Sequence, residues 1–411
     1  MESIDLFFTL DNFNLNKKRI LVRVDMNSPI DPQTMDIIDD SKIRAYVSTF
    51  KELVESDAKI VVVTHQGRPG DYDFTETNLH AKKLESLLNH PVTFVDGLFD
   101  SYTVRKIKQM KPSDILLLQN VRFYSEETIE KPPEDQARTH LVRKLSPLFD
   151  YFLLDAVGAM HRSHASLVGF PEILSTAAGR LMEKEVTTLS KLKASALRPY
   201  IFILGGGKLK DAVNYVELLL KNNVADKIIL TGLVANMFLV AMGLNLGASN
   251  KILEKKKANI FYSRIRDILS IYDEKIVLPT DFAALKNDER IELTIEELPS
   301  EYMLFDIGNE SLDNIKEILS EAGLVVMRGP AGYIEDPRFR RGTEEIIRHL
   351  SRINAVTICG GGHLGVIASE LGIRDKISHI STAGGAMISF FANKPLPVLE
   401  ELKRATLREL M

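Results

Sequence analysis

A single cysteine in 411 residues, Cys359, excludes an intramolecular disulfide framework and any cysteine-rich zinc site. An excess of either charge is lacking too. With 52 basic against 56 acidic residues the net charge is −4, too small for a general attraction to nucleic acid or to an acidic membrane, so any anion site must be local. The opening Met1-Glu2-Ser3-Ile4-Asp5 lacks the basic-then-apolar order of a secretory leader, and the expectation is a cytoplasmic protein. No low-complexity tract and no fixed-period repeat is present. The uncharged run at 228–248 is long enough to span a bilayer, but Thr231-Gly232 breaks it and Asn236, Asn245 and several glycines dilute it. It reads as a buried strand and helix, not a membrane span.

What is present is an ordinary apolar content of 45% and a length that suits two domains. Apolar strand-like runs occur at 19–24, 60–64, 92–95, 115–118 and 152–154, and again at 201–204, 228–230, 276–278, 303–305, 324–327, 356–358 and 377–380. Helix-period segments separate most of them. This alternation predicts an α/β protein with two doubly wound, parallel-sheet (Rossmann-like) domains, each sheet covered on both faces. Residues 179–195 carry Leu181, Met182, Val186, Leu189 and Leu192 at helical spacing, and Arg198-Pro199 stops that helix before the next strand. The boundaries are therefore 1–178, a joining helix within 179–198, 199–394, and a second amphipathic helix within 395–411.

In such sheets ligands sit beyond the carboxyl ends of the strands. In the second half those ends carry glycine clusters: Gly205-Gly206-Gly207-Lys208, Gly329-Pro330-Ala331-Gly332 followed by Glu335, Gly360-Gly361-Gly362-His363, and Gly384-Gly385. Glycine lets backbone N–H groups approach an anion and supplies the positive φ of a phosphate nest. In the first half the strand ends carry Asp25 and Asn27, His65 and Arg68, Arg122, and Arg162. Guanidinium groups there suit bidentate contact with carboxylate or phosphate. Asp25-Met26-Asn27 also fits an Asx-type turn. Asp40-Ser41-Lys42-Ile43-Arg44 reads as a capped helix start with Arg44 in its first turn, where a cation opposes the helix dipole and favours an anionic partner. The histidines of His161-Arg162-Ser163-His164 lack a metal-ligand pattern.

Taken together, these motifs resemble the phosphoglycerate kinase family, archaeal type, over essentially the whole chain. The resemblance rests on residues 23–29, 65–69, 120–123, 155–166, 204–211, 278–282, 306–308, 329–335 and 379–386, in that order. It implies reversible phosphoryl transfer between ATP and the carboxylate of 3-phosphoglycerate, giving ADP and 1,3-bisphosphoglycerate. It also implies a 3-phosphoglycerate site in 1–178, made by Asp25, Met26, Asn27, Arg44, His65, Gln66, Gly67, Arg68, Arg122 and Arg162. A nucleotide site in 199–394 is implied at Gly206, Gly207, Lys208, Glu335, Gly361, Gly362, His363, Leu364, Gly384 and Gly385. Arg44 and Lys208 are the implied catalytic cations. Mg²⁺ is expected on the nucleotide phosphates, with no protein ligand assigned. The joining helix corresponds to the family's hinge, and the last helix to a segment returning to the N-terminal domain.

The chain departs from the family's pattern at Ala212, where a second lysine is common, and at Arg328, usually asparagine. It departs also at His363-Leu364, often Asp-Thr, and at Gln119, commonly glutamate. Two competing readings are another acyl-phosphate-forming kinase and a catalytically silent anion-binding homologue. No nucleic-acid or membrane partner is expected, and the sequence does not set the oligomeric state.

Overall fold

Strands buried on both faces must be apolar nearly throughout, and the runs Ile20-Leu21-Val22 and Ile60-Val61-Val62-Val63 satisfy this with almost no exposed surface. The structure, a computed structural model, describes residues 7–195 and 197–411; the acidic start at 1–5 lies outside the described residues. Two compact units result, Met1–Leu192 with Pro395–Met411, and Lys193–Lys394. No helix of the described residues is long and apolar enough to cross a membrane.

The first unit is built on β1 (Arg19–Arg23), β2 (Lys59–Val63), β3 (Val92–Val95), β4 (Ile115–Leu118), β5 (Tyr151–Leu154) and β6 (Thr176–Ala178). They form one six-stranded parallel sheet in the order β3-β4-β2-β1-β5-β6. Chain order turns back at β1, with β2 on one side and β5 on the other, and this is where a doubly wound sheet opens a crevice. Ile20, Val22, Ile60, Val62, Phe50 and Leu84 fill one face of its core. Burying each such side chain contributes about 1.5–3 kcal/mol.

Asp155, one residue past β5, fixes the start of the helix Arg180–Ala194. Its Oδ1 accepts the Met182 N–H at 2.7 Å and its Oδ2 the Thr49 hydroxyl at 2.8 Å. A side chain on Gly179 would stand 2.3 Å from that carboxyl carbon, so only glycine fits. Burial pushes the Asp155 carboxyl up to about 6. The helix Pro397–Leu410 packs on this same unit. There Val398 N–H donates to the Met160 carbonyl at 3.3 Å, and Phe8 N–H to Thr406 Oγ1 at 2.8 Å.

The second unit contains β7 (Tyr200–Leu204), β8 (Lys227–Leu230) and β9 (Ile276–Val277), then β10 (Asp281–Lys286), β11 (Glu289–Thr294) and β12 (Leu304–Ile307), then β13 (Leu324–Arg328), β14 (Val356–Gly360) and β15 (His379–Ser381). The main sheet is parallel, in the order β15-β14-β13-β7-β8-β9, and turns back between β7 and β13. The strand expected at 303–305 is β12, and it belongs not to this sheet but to a separate antiparallel one, β11-β10-β12. The β10–β11 hairpin was not expected. Its turn is the pair Asn287-Asp288, both at positive φ, a two-residue connection of the kind that matches strand twist.

Candidate functional site

In the first unit the strand ends meet around a buried cation. Arg23, the last residue of β1, is in register with Val63 and Leu154 of its neighbours, so His65 and Asp155 fall just beyond the same edge. The Arg23 side chain is almost wholly buried. Its Nε donates to Ser166 Oγ at 2.7 Å, one amino group donates to the Val24 carbonyl, and the other faces His65 Nδ1 at 3.2 Å and Glu127 Oε1 at 3.7 Å. Glu127, fully buried, accepts the Ser166 N–H at 2.8 Å and the Ser166 hydroxyl at 2.6 Å. Burial raises its pKa and lowers that of Arg23.

Around this pair stand the residues expected from sequence. Asp25 Oδ2 lies 3.6 Å from Lys42 Nζ and its Oδ1 lies 3.8 Å from His65 Nε2. Burial resists ionisation of Asp25, but Lys42 and Arg23 more than offset it and hold the carboxyl below the usual range. The Asx-type turn is present as well, since Asp25 Oδ1 accepts the Asn27 N–H at 3.2 Å. His65 is buried, and desolvation with the surrounding Arg23, Arg122 and Lys42 keeps its pKa well below 6.5 despite Asp25. Arg122, partly buried, donates to the Gly67 carbonyl at 2.6 Å; burial, then Arg23, lower its pKa to about 10. Arg162 donates to Glu130 Oε1 at 2.9 Å, and His164 Nε2 lies 3.7 Å from the same oxygen. Desolvation, with Arg122, Arg23 and Arg162, brings His164 down to about 3. Arg68 is exposed and makes no ion pair among the described residues.

One expectation for the first unit needs correction. Arg44 is not in the first turn of a long helix: Ser41–Arg44 is a single turn that ends at Arg44, so opposition to a helix dipole does not argue for an anion there. Its charge is matched by Asp40 at 3.1 Å, and Asp39 rather than Asp40 accepts the Ser41 N–H, at 2.9 Å. Met26 packs its side chain into the core, gives its N–H to Thr64 Oγ1 at 3.0 Å and its carbonyl to Ser28 Oγ at 3.0 Å. Gln66 is fully buried and spends its amide on Ser28, at 2.9 and 3.0 Å, and on His80, at 3.0 Å. Gly67, at φ +65°, gives its N–H to Asn27 Oδ1 at 2.9 Å, and a Cβ there would meet the Asp73 carbonyl at 2.4 Å. These contacts of Met26, Gln66 and Gly67 brace the loops that carry the charged groups.

The sequence reading had not singled out Arg23, Glu127, Ser166 or Lys42 as site residues. Arg23 carried a signal, a charge closing an otherwise apolar strand. Glu127 and Ser166 carried none.

In the second unit the turn after β7 crosses the end of β13. Gly205 N–H donates to the Arg328 carbonyl at 2.9 Å and Gly206 N–H to the Pro330 carbonyl at 2.9 Å. A Cβ on Gly205 would stand 2.3 Å from the Pro330 carbonyl oxygen. The Gly206 N–H is thus spent on chain crossing. Gly207 and Lys208 beyond it are exposed, and Lys208 precedes the helix Leu209–Lys221. Gly361, at φ +106°, and Gly362 have open space where a Cβ would be, and begin the helix Gly362–Glu370. His363 is exposed, whereas Leu364 turns its side chain into the core and offers only its backbone N–H. Gly384 faces open space. Against Gly385 lie Tyr215 and Arg328, whose Nη2 would stand 3.2 Å from an added Cβ. The Arg328 guanidinium stacks 4.9 Å from the Tyr215 ring centre and lies 4.0 Å from Asp211 Oδ2. Glu335 is exposed, without an ion pair among the described residues. No group of three or more His, Cys, Asp or Glu side chains among the described residues could hold a metal ion.

Comparison with known proteins agrees with this arrangement of parallel sheets. The family profile described as phosphoglycerate kinase matches residues 10–394. The chain is 44% identical over 403 residues to a phosphoglycerate kinase of Methanothermus fervidus, covering 98% of each, and 43% identical over 402 residues to one of Archaeoglobus fulgidus, covering 97% of each. The crystal structure of phosphoglycerate kinase from Pyrococcus horikoshii OT3 superposes with a TM-score of 0.91 at 38% identity, over 98% of this chain and 100% of that one. Sequence, sheet order and full-length coverage agree, and the chain belongs to the phosphoglycerate kinase family.

Proposed function

We propose that the first unit binds 3-phosphoglycerate and the second ATP or ADP, the chain moving a phosphoryl group reversibly between ATP and the carboxylate of 3-phosphoglycerate. The products are ADP and 1,3-bisphosphoglycerate, and the step serves glycolysis and gluconeogenesis. The observation that carries the assignment of the first unit is the convergence of Asp25, His65, Arg122 and Arg162 on the buried Arg23 at the turning point of its sheet.

The acceptor carboxylate is ionised at neutral pH and is itself the nucleophile, so no general base is needed. Catalysis reduces to holding two anions in line and neutralising charge as the phosphoryl moves. Arg68, Arg122 and Arg162 take the phosphate and carboxylate of 3-phosphoglycerate, with the ligand displacing Glu130 from Arg162. Asp25 and Asn27 face its hydroxyl. Arg44 and Lys208 are the cations assigned to the transferring group. Gly207, the first-turn amides of Gly362, His363 and Leu364, the turn at Gly384-Gly385 and Glu335 receive the nucleotide. Mg²⁺ enters on the nucleotide phosphates and supplies further neutralisation of their charge. Asp211, half exposed in the first turn after Lys208, is an oxygen donor of the kind Mg²⁺ accepts beside phosphate.

Ligands on separate units must come within about 3–3.5 Å for transfer, which calls for a hinge motion, assigned here to 179–198 with 395–411. The reading places the protein in the cytoplasm. A coupled assay of ADP formation from ATP and Mg²⁺ tests the function. Activity that depends on 3-phosphoglycerate supports it, and its absence in folded protein would favour a silent anion-binding homologue.

A further inference from the structure

The Gly205-Gly206-Gly207 turn is approached by a second lysine that belongs to none of the sequence motifs. Lys256 follows the helix Asn250–Lys255, and its Nζ lies 3.6 Å from the point a Cβ on Gly207 would occupy. It is exposed and makes no ion pair with a carboxylate among the described residues. Against the same turn lies Thr231, fully buried, its hydroxyl without a hydrogen-bond partner among the described residues and 2.5 Å from the point a Gly205 Cβ would occupy.

An ammonium group only donates, backbone N–H groups only donate, and an unspent hydroxyl is free to donate. The Gly205 and Gly206 N–H groups are spent on the Arg328 and Pro330 carbonyls, so what this turn offers an anion is the Gly207 N–H with the Lys256 ammonium beside it. Gly207 has no side chain, and the ammonium group stands at van der Waals distance from where its Cβ would be, close against the open backbone.

We infer that Lys256 is a second lysine of the nucleotide site, donating to a phosphate oxygen of ATP or ADP bound on the Gly205-Gly206-Gly207 turn. This rests on the reading of the second unit as the nucleotide site. Because Lys256 is solvent-exposed and outside the core, its replacement leaves the fold intact.

Calorimetric titration of the full chain with ADP, with adenosine and with 3-phosphoglycerate provides the test. For Lys256→Met the ADP dissociation constant should rise roughly tenfold or more, the range of a charge-assisted hydrogen bond. Adenosine and 3-phosphoglycerate affinities should be unchanged, and Lys256→Arg should restore most of the loss. Lys255→Met, which removes a neighbouring positive charge, should bind ADP as the parent does. Unaltered ADP binding by Lys256→Met, an equal loss in Lys255→Met, or an equal loss of adenosine would each overturn the assignment. If the parent chain binds no ADP, the nucleotide reading itself falls and takes Lys256 with it.

Discussion

Arg23 Nη2 stands 3.2 Å from His65 Nδ1, and this contact decides where the imidazole proton sits. A guanidinium cannot accept, so Nδ1 is the acceptor and the proton is on Nε2, the nitrogen that faces Asp25. Burial and the surrounding cations keep the ring neutral. His65 is therefore a fixed donor, not a pH-sensitive cation. Nitrogen NMR should find it neutral with the Nε2–H tautomer at about pH 6.5, where an ordinary histidine is half protonated. An imidazolium there would remove His65 as a neutral donor to substrate.

The same guanidinium holds Glu127 in the core. Removing one member of a buried pair strands the other charge, which typically costs about 3–5 kcal/mol, whereas replacing both by apolar or neutral groups costs less. Arg23→Met should therefore lower the chemical denaturation midpoint sharply. Arg23→Met combined with Glu127→Gln should recover part of it. A double variant no more stable than the single one would show that Arg23 stabilises through Ser166 and the Val24 carbonyl instead.

How far the sequence reveals all this depends on the range of the interaction. Strands buried on both faces declare themselves as apolar runs, so both parallel sheets were legible. β6 is Thr-Ala-Ala, too short and bland to stand out. The hairpin of β10 and β11 sits among charges that read as loop, although Ile291 and Leu293 alternate and Asn287-Asp288 marks the turn. Motif membership located the arginines that the proposal assigns to substrate, but it carries no information on which way a side chain points. Met26, Gln66 and Leu364 belong to the right motifs and yet face the core. Glu127 and Ser166 reach Arg23, and Lys256 reaches the Gly205-Gly206-Gly207 turn, only through the fold.

Arg44 and Lys208 are assigned to charge that develops during transfer. Loss of one preorganised donor of this kind removes about 3–4 kcal/mol of barrier stabilisation, a fall in kcat of about 10²–10³. Steady-state kinetics of Arg44→Ala and Lys208→Ala should show kcat falling far more than either KM changes. Near-normal turnover in either variant would withdraw the assignment.

Glu130 occupies Arg162 at 2.9 Å, where the proposal puts a substrate oxygen. Burial opposes ionisation of Glu130, yet the Arg162 hydrogen bond lowers its pKa, so the pair is ionic at neutral pH. Both side chains are substantially exposed, and such a pair contributes about 0.2–1 kcal/mol. Glu130→Gln should accordingly lower KM for 3-phosphoglycerate by a few-fold with kcat little changed. A higher KM would mean that Glu130 orients Arg162 for the ligand instead of competing with it.

Glu401, in the C-terminal helix, is buried beside a second carboxylate, Glu172, while Arg404 reaches both, at 3.2 and 3.9 Å, and Arg408 lies 3.2 Å from Glu172. Burial first, and then the hydrogen bond to Glu172, push the Glu401 carboxyl up to about 8. An acid whose folded pKa is raised binds its proton more tightly in the native state. Its contribution is therefore complete below the unfolded value near 4.5 and is lost as pH rises through about 8. Glu401→Gln, which keeps a donor toward Glu172 at every pH, should match the parent at about pH 4.5 and exceed it at about pH 9, by on the order of 5 kcal/mol. Urea denaturation at the two pH values reads the difference directly. A gap of equal size at both would show that Glu401 is ionised throughout, with Arg404 rather than a shared proton holding it in the core.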